Sequence, residues 1–100
     1  METRAEFHTA KGAQYIASLC KHFGRKVPVK TSRQSGRIEL PFGLCLLTAR
    51  DDVLELAVTA ESRAELDKAA EVLGSHLERF AFRENPEIIW QPAPDKDAGS

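Results

Sequence analysis

The chain predicts an α+β fold: a two-layer sandwich in which an antiparallel sheet of about five strands carries two helices on one face. Three patterns lead there. Residues 36–60 alternate apolar and polar side chains in runs broken by short turn words, as strands do. Residues 15–23 and 66–81 instead space their apolar side chains for helices. The connections between the strand-like runs are too short for parallel crossovers, so consecutive strands must be antiparallel.

Taken in order, the elements read β-α-β-β-β-β-α. Residues 3–9 alternate Arg4, Glu6 and His8 with Ala5, Phe7 and Thr9, the period of a half-buried strand with His8 facing water. Thr9 can cap a helix over about 10–23, where Tyr15, Ile16, Leu19, Cys20 and Phe23 form the apolar stripe and Gly24 marks the end. Four strands follow, at about 26–31, 36–41, 44–50 and 53–60, separated by Ser32 to Gly36, Phe42-Gly43 and Asp51-Asp52. Pro28 cannot donate a ladder hydrogen bond, which assigns its strand to a sheet edge.

Ser62 and Glu65 form a capping box that opens the second helix. Leu66, Ala69, Ala70, Leu73, Leu77, Phe80 and Ala81 then share one helical face as far as the stop at Asn85-Pro86. Ile88, Ile89 and Trp90 suit a short extra strand or a packed tail, and 92–100 has the composition of a disordered end. Residues 1–91 are thus expected to form a single domain.

Alternation sends Val27, Val29, Ile38, Leu40, Cys45, Leu47, Leu54, Leu56 and Val58 toward the helices. Lys26, Lys30, Arg37, Glu39, Leu44, Leu46, Glu55 and Ala57 fall on the opposite face, with apolar side chains at its centre. Such a patch marks a ligand groove or partner surface, unless the Trp90 tail covers it.

A chain of 100 residues with 42% hydrophobic and 29% charged side chains has room for one modest core and no large cofactor fold, so no cofactor is expected. The net charge of -1 supplies no field that would gather nucleic acid. No segment approaches the ~20 apolar residues of a membrane span, and Met1 to Glu6 lacks a basic head followed by an apolar run. A cytoplasmic protein with reduced cysteines is expected.

The second helix places His76, Arg79 and Arg83 along one flank beside the buried stripe, a grip for carboxylate, phosphate or catecholate oxygens because arginine offers paired donors in a plane. Cations in a last helical turn also simply favour the helix dipole. His22 projects to the rim of the first helix's stripe, where a histidine can bind a metal or move a proton, or merely pack; Lys21 points away. A contact between His22 and His76 would favour a metal. Cys20 and Cys45 fall on inward faces, where a thiol acts as a small apolar group. Motifs for zinc, serine-hydrolase and nucleotide chemistry are absent, and no metal site is assigned.

Three words carry a resemblance: Leu-Cys-Lys-His-Phe at 19–23, Gly-Arg-Ile-Glu-Leu-Pro-Phe-Gly-Leu-Cys at 36–45, and His-Leu-Glu-Arg-Phe-Ala-Phe-Arg-Glu-Asn-Pro at 76–86. Together they resemble DUF2218, a family of small bacterial proteins without an established activity. The resemblance implies an association with siderophore utilisation, and positions Lys21, His22, Cys45, His76, Arg79, Arg83 and Glu84 fall inside the matching words. Some members carry an aldolase label, but neither a metal triad nor a Schiff-base lysine environment is recognisable in this chain. The leading expectation is a binding or accessory module for an anionic small molecule or a siderophore-related protein partner. Alternatives are a small enzyme using His22 or His76 as acid or base, with Cys45, and a homodimer formed through Ile88, Ile89 and Trp90 or the outer sheet face.

Overall fold

The computed structural model describes residues 1–92. In chain order its elements are β1 (Glu2–His8), α1 (Gly12–Phe23), β2 (Val29–Thr31), β3 (Ser35–Leu40), β4 (Gly43–Arg50), β5 (Val53–Thr59), α2 (Arg63–Phe80), a single 3-10 turn (Phe82–Glu84) and the short β6 (Gln91–Pro92). This is the predicted α+β architecture in the predicted order; the short C-terminal strand forms at Gln91–Pro92 and not through Ile88, Ile89 and Trp90, where the sequence suggested it. Beyond Pro92, the tail expected from 92 to 100 lies outside the described residues.

The sheet runs β2-β3-β4-β5-β1-β6, and every neighbouring pair is antiparallel. β2 to β5 form the expected meander, with β2 at the edge. β1 inserts on the far side of β5, pairing Glu2 with Thr59 through to His8 with Val53. β6 then adds to β1 at Thr3 and Arg4, where the Thr3 hydroxyl donates to the Gln91 carbonyl at 2.8 Å.

Alternation decides which face is dry. Ala5, Phe7, Ile38, Cys45, Leu47, Leu54, Leu56 and Val58 are buried against Tyr15, Ile16, Leu19, Cys20 and Phe23 of α1 and Leu66, Ala69, Leu73 and Leu77 of α2. Both helices therefore cover the same face. Val27, Val29 and Leu40 pack at the margin of this core. No helix among the described residues is long and apolar enough to cross a membrane.

Some local details depart from the sequence reading. α1 starts at Gly12, and the Thr9 hydroxyl accepts from the Lys11 N–H at 3.0 Å, so it supports the entry to the helix without occupying its cap. Gly24 follows α1 in a right-handed conformation, φ -63°. It is small because a Cβ there would lie 2.8 Å from the Cys20 carbonyl oxygen. Gly43 belongs to β4, and Pro41-Phe42 forms the turn. A Cβ on Gly43 would meet the Ala69 Cβ at 2.9 Å, so its job is to let α2 approach. Asp51 does take a left-handed φ of 45° in the two-residue β4–β5 turn, a conformation that aspartate tolerates.

Ser62 caps α2 as expected, accepting from the Glu65 N–H at 3.1 Å. The helix nevertheless ends at Phe80, short of Asn85-Pro86. Ala81 leaves helical geometry (φ -103°, ψ 22°), and Asn85 adopts φ 52° ahead of the proline, which disfavours helix in the residue before it. Phe80, assigned by periodicity to the buried stripe, is 39% exposed.

The Trp90 segment takes the alternation of a strand. Ile88 and Trp90 turn to the helix layer and border a hollow beside Gly74 of α2. Glu87, Ile89 and Gln91 turn to the opposite side, along the outer face. Trp90 therefore does not cover the outer sheet face. Leu46 remains 40% exposed and Ile89 58% exposed there.

Candidate functional site

α1 and α2 lie side by side on the sheet, and the last turn of α1 meets the C-terminal part of α2. His22 and His76 come together at this point, their ring centroids 4.8 Å apart. Phe23 packs against both imidazoles, at 5.2 Å from His22 and 4.9 Å from His76. Phe80 stands edge-on to His22 at 6.0 Å. His22 is exposed and His76 half-buried, so the pair sits at a rim with one wall in the core.

The orientation of His76 is fixed from within its own helix. Its Nδ1 lies 2.7 Å from the Val72 carbonyl oxygen. A carbonyl only accepts, so Nδ1 carries the proton of the neutral ring and Nε2 keeps its lone pair, free to accept a proton or meet a ligand. His22 is held below the ordinary imidazole range of 6.5. Desolvation against its neighbours is the main cause, followed by His76, Arg25, Arg79 and Lys26. The site is thus two imidazoles within a cluster of permanent cations.

Of the residues selected from sequence, His22, His76 and Arg79 are brought together. Lys21 is exposed and is not among the charges acting on His22. Arg83 departs from the flank projected for it, because α2 ends at Phe80; its guanidinium stacks 5.7 Å from the Phe82 ring centre. Arg25 was missed, and Lys26, assigned by alternation to a strand on the outer sheet face, instead lies in the turn after α1, because β2 starts only at Val29. Their signal was the basic pair directly after Gly24, which follows the helix end into the site.

Glu84 and Cys45 have other roles. The Glu84 carboxylate accepts from the Tyr15 hydroxyl and from the Thr9 hydroxyl at 3.1 Å, fastening the 3-10 turn to the start of α1. The Tyr15 hydrogen bond, then that of Thr9, hold Glu84 below the usual carboxylate range, while burial and the same carboxylate push Tyr15 up to about 12. Cys45 is fully buried on β4, and desolvation alone pushes its thiol up to about 12, which leaves no nucleophile at neutral pH. Cys20 is also free and buried. Among the described residues, no group of three or more His, Cys, Asp and Glu side chains converges as metal ligands would.

No curated protein matches the chain. Among solved structures, the NMR structure of PA4090 from Pseudomonas aeruginosa is similar over 94% of this chain and 98% of that one, with 31% sequence identity and a TM-score of 0.79. A family model described as an uncharacterized protein conserved in bacteria matches residues 4–91. The chain belongs to that family, DUF2218.

Proposed function

We propose that this protein is a cytoplasmic, non-catalytic binding module that takes an anionic small molecule at the rim formed by His22, His76 and Arg79, in the setting of siderophore or iron utilisation to which the family resemblance points. The observation that carries the reading is the 4.8 Å approach of the two imidazoles, with the charges of Arg25, Arg79 and Lys26 acting on His22. Arg25, Lys26 and Arg79 repel a bare divalent ion and attract an anion or an anionic chelate. His76 adds a fixed ring nitrogen, and Phe23 packs against both imidazoles.

The iron connection rests on the resemblance alone, whereas the anion preference rests on charge and geometry. An amide and side-chain NMR titration with phosphate, citrate, a ferric catecholate and zinc tests both. Shifts confined to His22, His76, Arg79 and their neighbours are expected with the anions. Arg79→Ala should weaken that binding about tenfold or more without unfolding the chain. Binding of zinc alone would replace the anion site by a metal site, and the absence of shifts with every probe would remove the site.

A further inference from the structure

The outer sheet face bears charged rows that pair in part within the chain, Arg4 with Glu2, Arg37 with Glu39 and Arg50 with Glu55, and leave Glu6 without a partner among the described residues. The register places Glu2, Thr59, Leu44 and Glu39 in one row across β1, β5, β4 and β3, and Arg4, Ala57, Leu46 and Arg37 in the next. Glu6, Glu55, Thr48 and Ser35 form the third row, and His8, Val53 and Arg50 the fourth. The rows thus alternate acidic, basic, acidic, basic, with Leu46 and Ala57 in the middle. Glu6 and Glu55 stand directly opposite each other, a repulsive cross-strand pair. Arg50 answers Glu55 at 3.3 Å, but Glu6 has no ion pair among the described residues. A hollow of about 680 Å³ lies over the second to fourth rows, with Leu46, Glu6 and Ile89 in its lining.

We infer that this face is the interface for a second copy of the same chain, packed sheet against sheet about a two-fold axis that runs across the strands between the second and third rows. A half-turn about that axis keeps β1 over its counterpart and reverses the row order. Arg4 then faces the other copy's Glu6, Glu6 faces the other copy's Arg4, and Glu2 faces His8. A two-fold axis along the strands instead places each row on its like, acid on acid and base on base. The pattern therefore selects one packing and disfavours the other, which is how charge gives specificity at an interface. The existing Arg4–Glu2 pair, at 2.9 Å, is exposed and can be shared with the new partner at little loss. The exposed Leu46 and Ile89 supply the apolar part of the contact.

Sedimentation equilibrium over a wide concentration range tests the arrangement, with circular dichroism to confirm folding. The wild-type chain should self-associate. Arg4→Glu and Glu6→Arg should each weaken association about tenfold or more, because each sets like charges face to face twice. An equimolar mixture of the two variants should recover it, since each chain then presents the sign the other needs. A wild-type chain that stays monomeric, or variants that fail to recover on mixing, would overturn the inference. Arg79→Ala should leave self-association unchanged, which separates this interface from the anion site.

Discussion

The imidazole of His22, at the end of α1, stands 4.8 Å from that of His76, on the half-buried flank of α2, and Phe23 touches both. Their approach joins the two helices at the point where the cations of Arg25, Lys26 and Arg79 gather. The His22 titration midpoint should accordingly fall below 6.5 in a histidine-side-chain NMR titration, and move up in His76→Gln as one source of the depression is removed. Protonation of His22 adds positive charge to the site, so affinity for phosphate should rise as pH falls through that midpoint.

The same depression links pH to stability. Below 6.5 the unfolded chain takes up a proton at His22 before the folded chain does, so stability should decline from about pH 6.5 downward until the folded midpoint is passed. Urea unfolding at several pH values should show this decline, small because the ring is exposed, and His22→Gln should flatten it.

Tyr15→Phe removes the phenol that holds Glu84. The expected loss is about 4 °C in melting temperature near neutral pH. Glu84 is depressed from 4.5 in the folded chain, so the clamp's contribution is complete above that pH and is lost as pH falls through the lower folded midpoint. Calorimetry across the acid range should find the wild-type and variant curves converging there.

Cys20 and Cys45 should both resist alkylation in the folded protein and react once it is unfolded. Cys45 is fully buried with its thiol raised to about 12, and Cys20 is raised by burial. Rapid modification of Cys45 under native conditions, followed by mass spectrometry, would contradict its place in the core.

Gly36→Ala should destabilise the fold by about 1–3 kcal/mol in denaturant titration. A Cβ at this β3 position would lie 2.8 Å from both the Cys20 Sγ and the Ile16 Cγ2, so α1 would have to lift from the sheet. Leu73→Ala, deleting a fully buried α2 side chain, should cost about 2–5 kcal/mol.

Element type was legible in the sequence wherever periodicity was sustained. The alternation of Ile38, Leu40, Cys45, Leu47, Leu54, Leu56 and Val58 correctly separated the inner from the outer face. Helix ends were harder to read. The apolar spacing continues through Phe80 and Ala81, but Ala81 already leaves helical geometry and Glu84 is held by Tyr15, which displaced Arg83 from the flank projected for it. The meeting of His22 with His76 was not legible, because it depends on how far one helix slides along the other and no local pattern records that. The direction of Trp90 depended likewise on a tertiary contact, the space beside Gly74.

The position of β1 between β5 and β6 sets the order of assembly. Its partner residues run from Val53 to Thr59, so β1 must wait until some fifty further residues exist before it can pair. β6 cannot dock on it before then. The β2–β5 meander, whose partners are close in sequence, can form earlier, leaving the edge of β5 open for β1. Closing that edge requires ordering a long loop, so this step should govern the folding rate. Until it closes, the unpaired β5 edge is where a nascent chain is most exposed to pairing with the wrong strand.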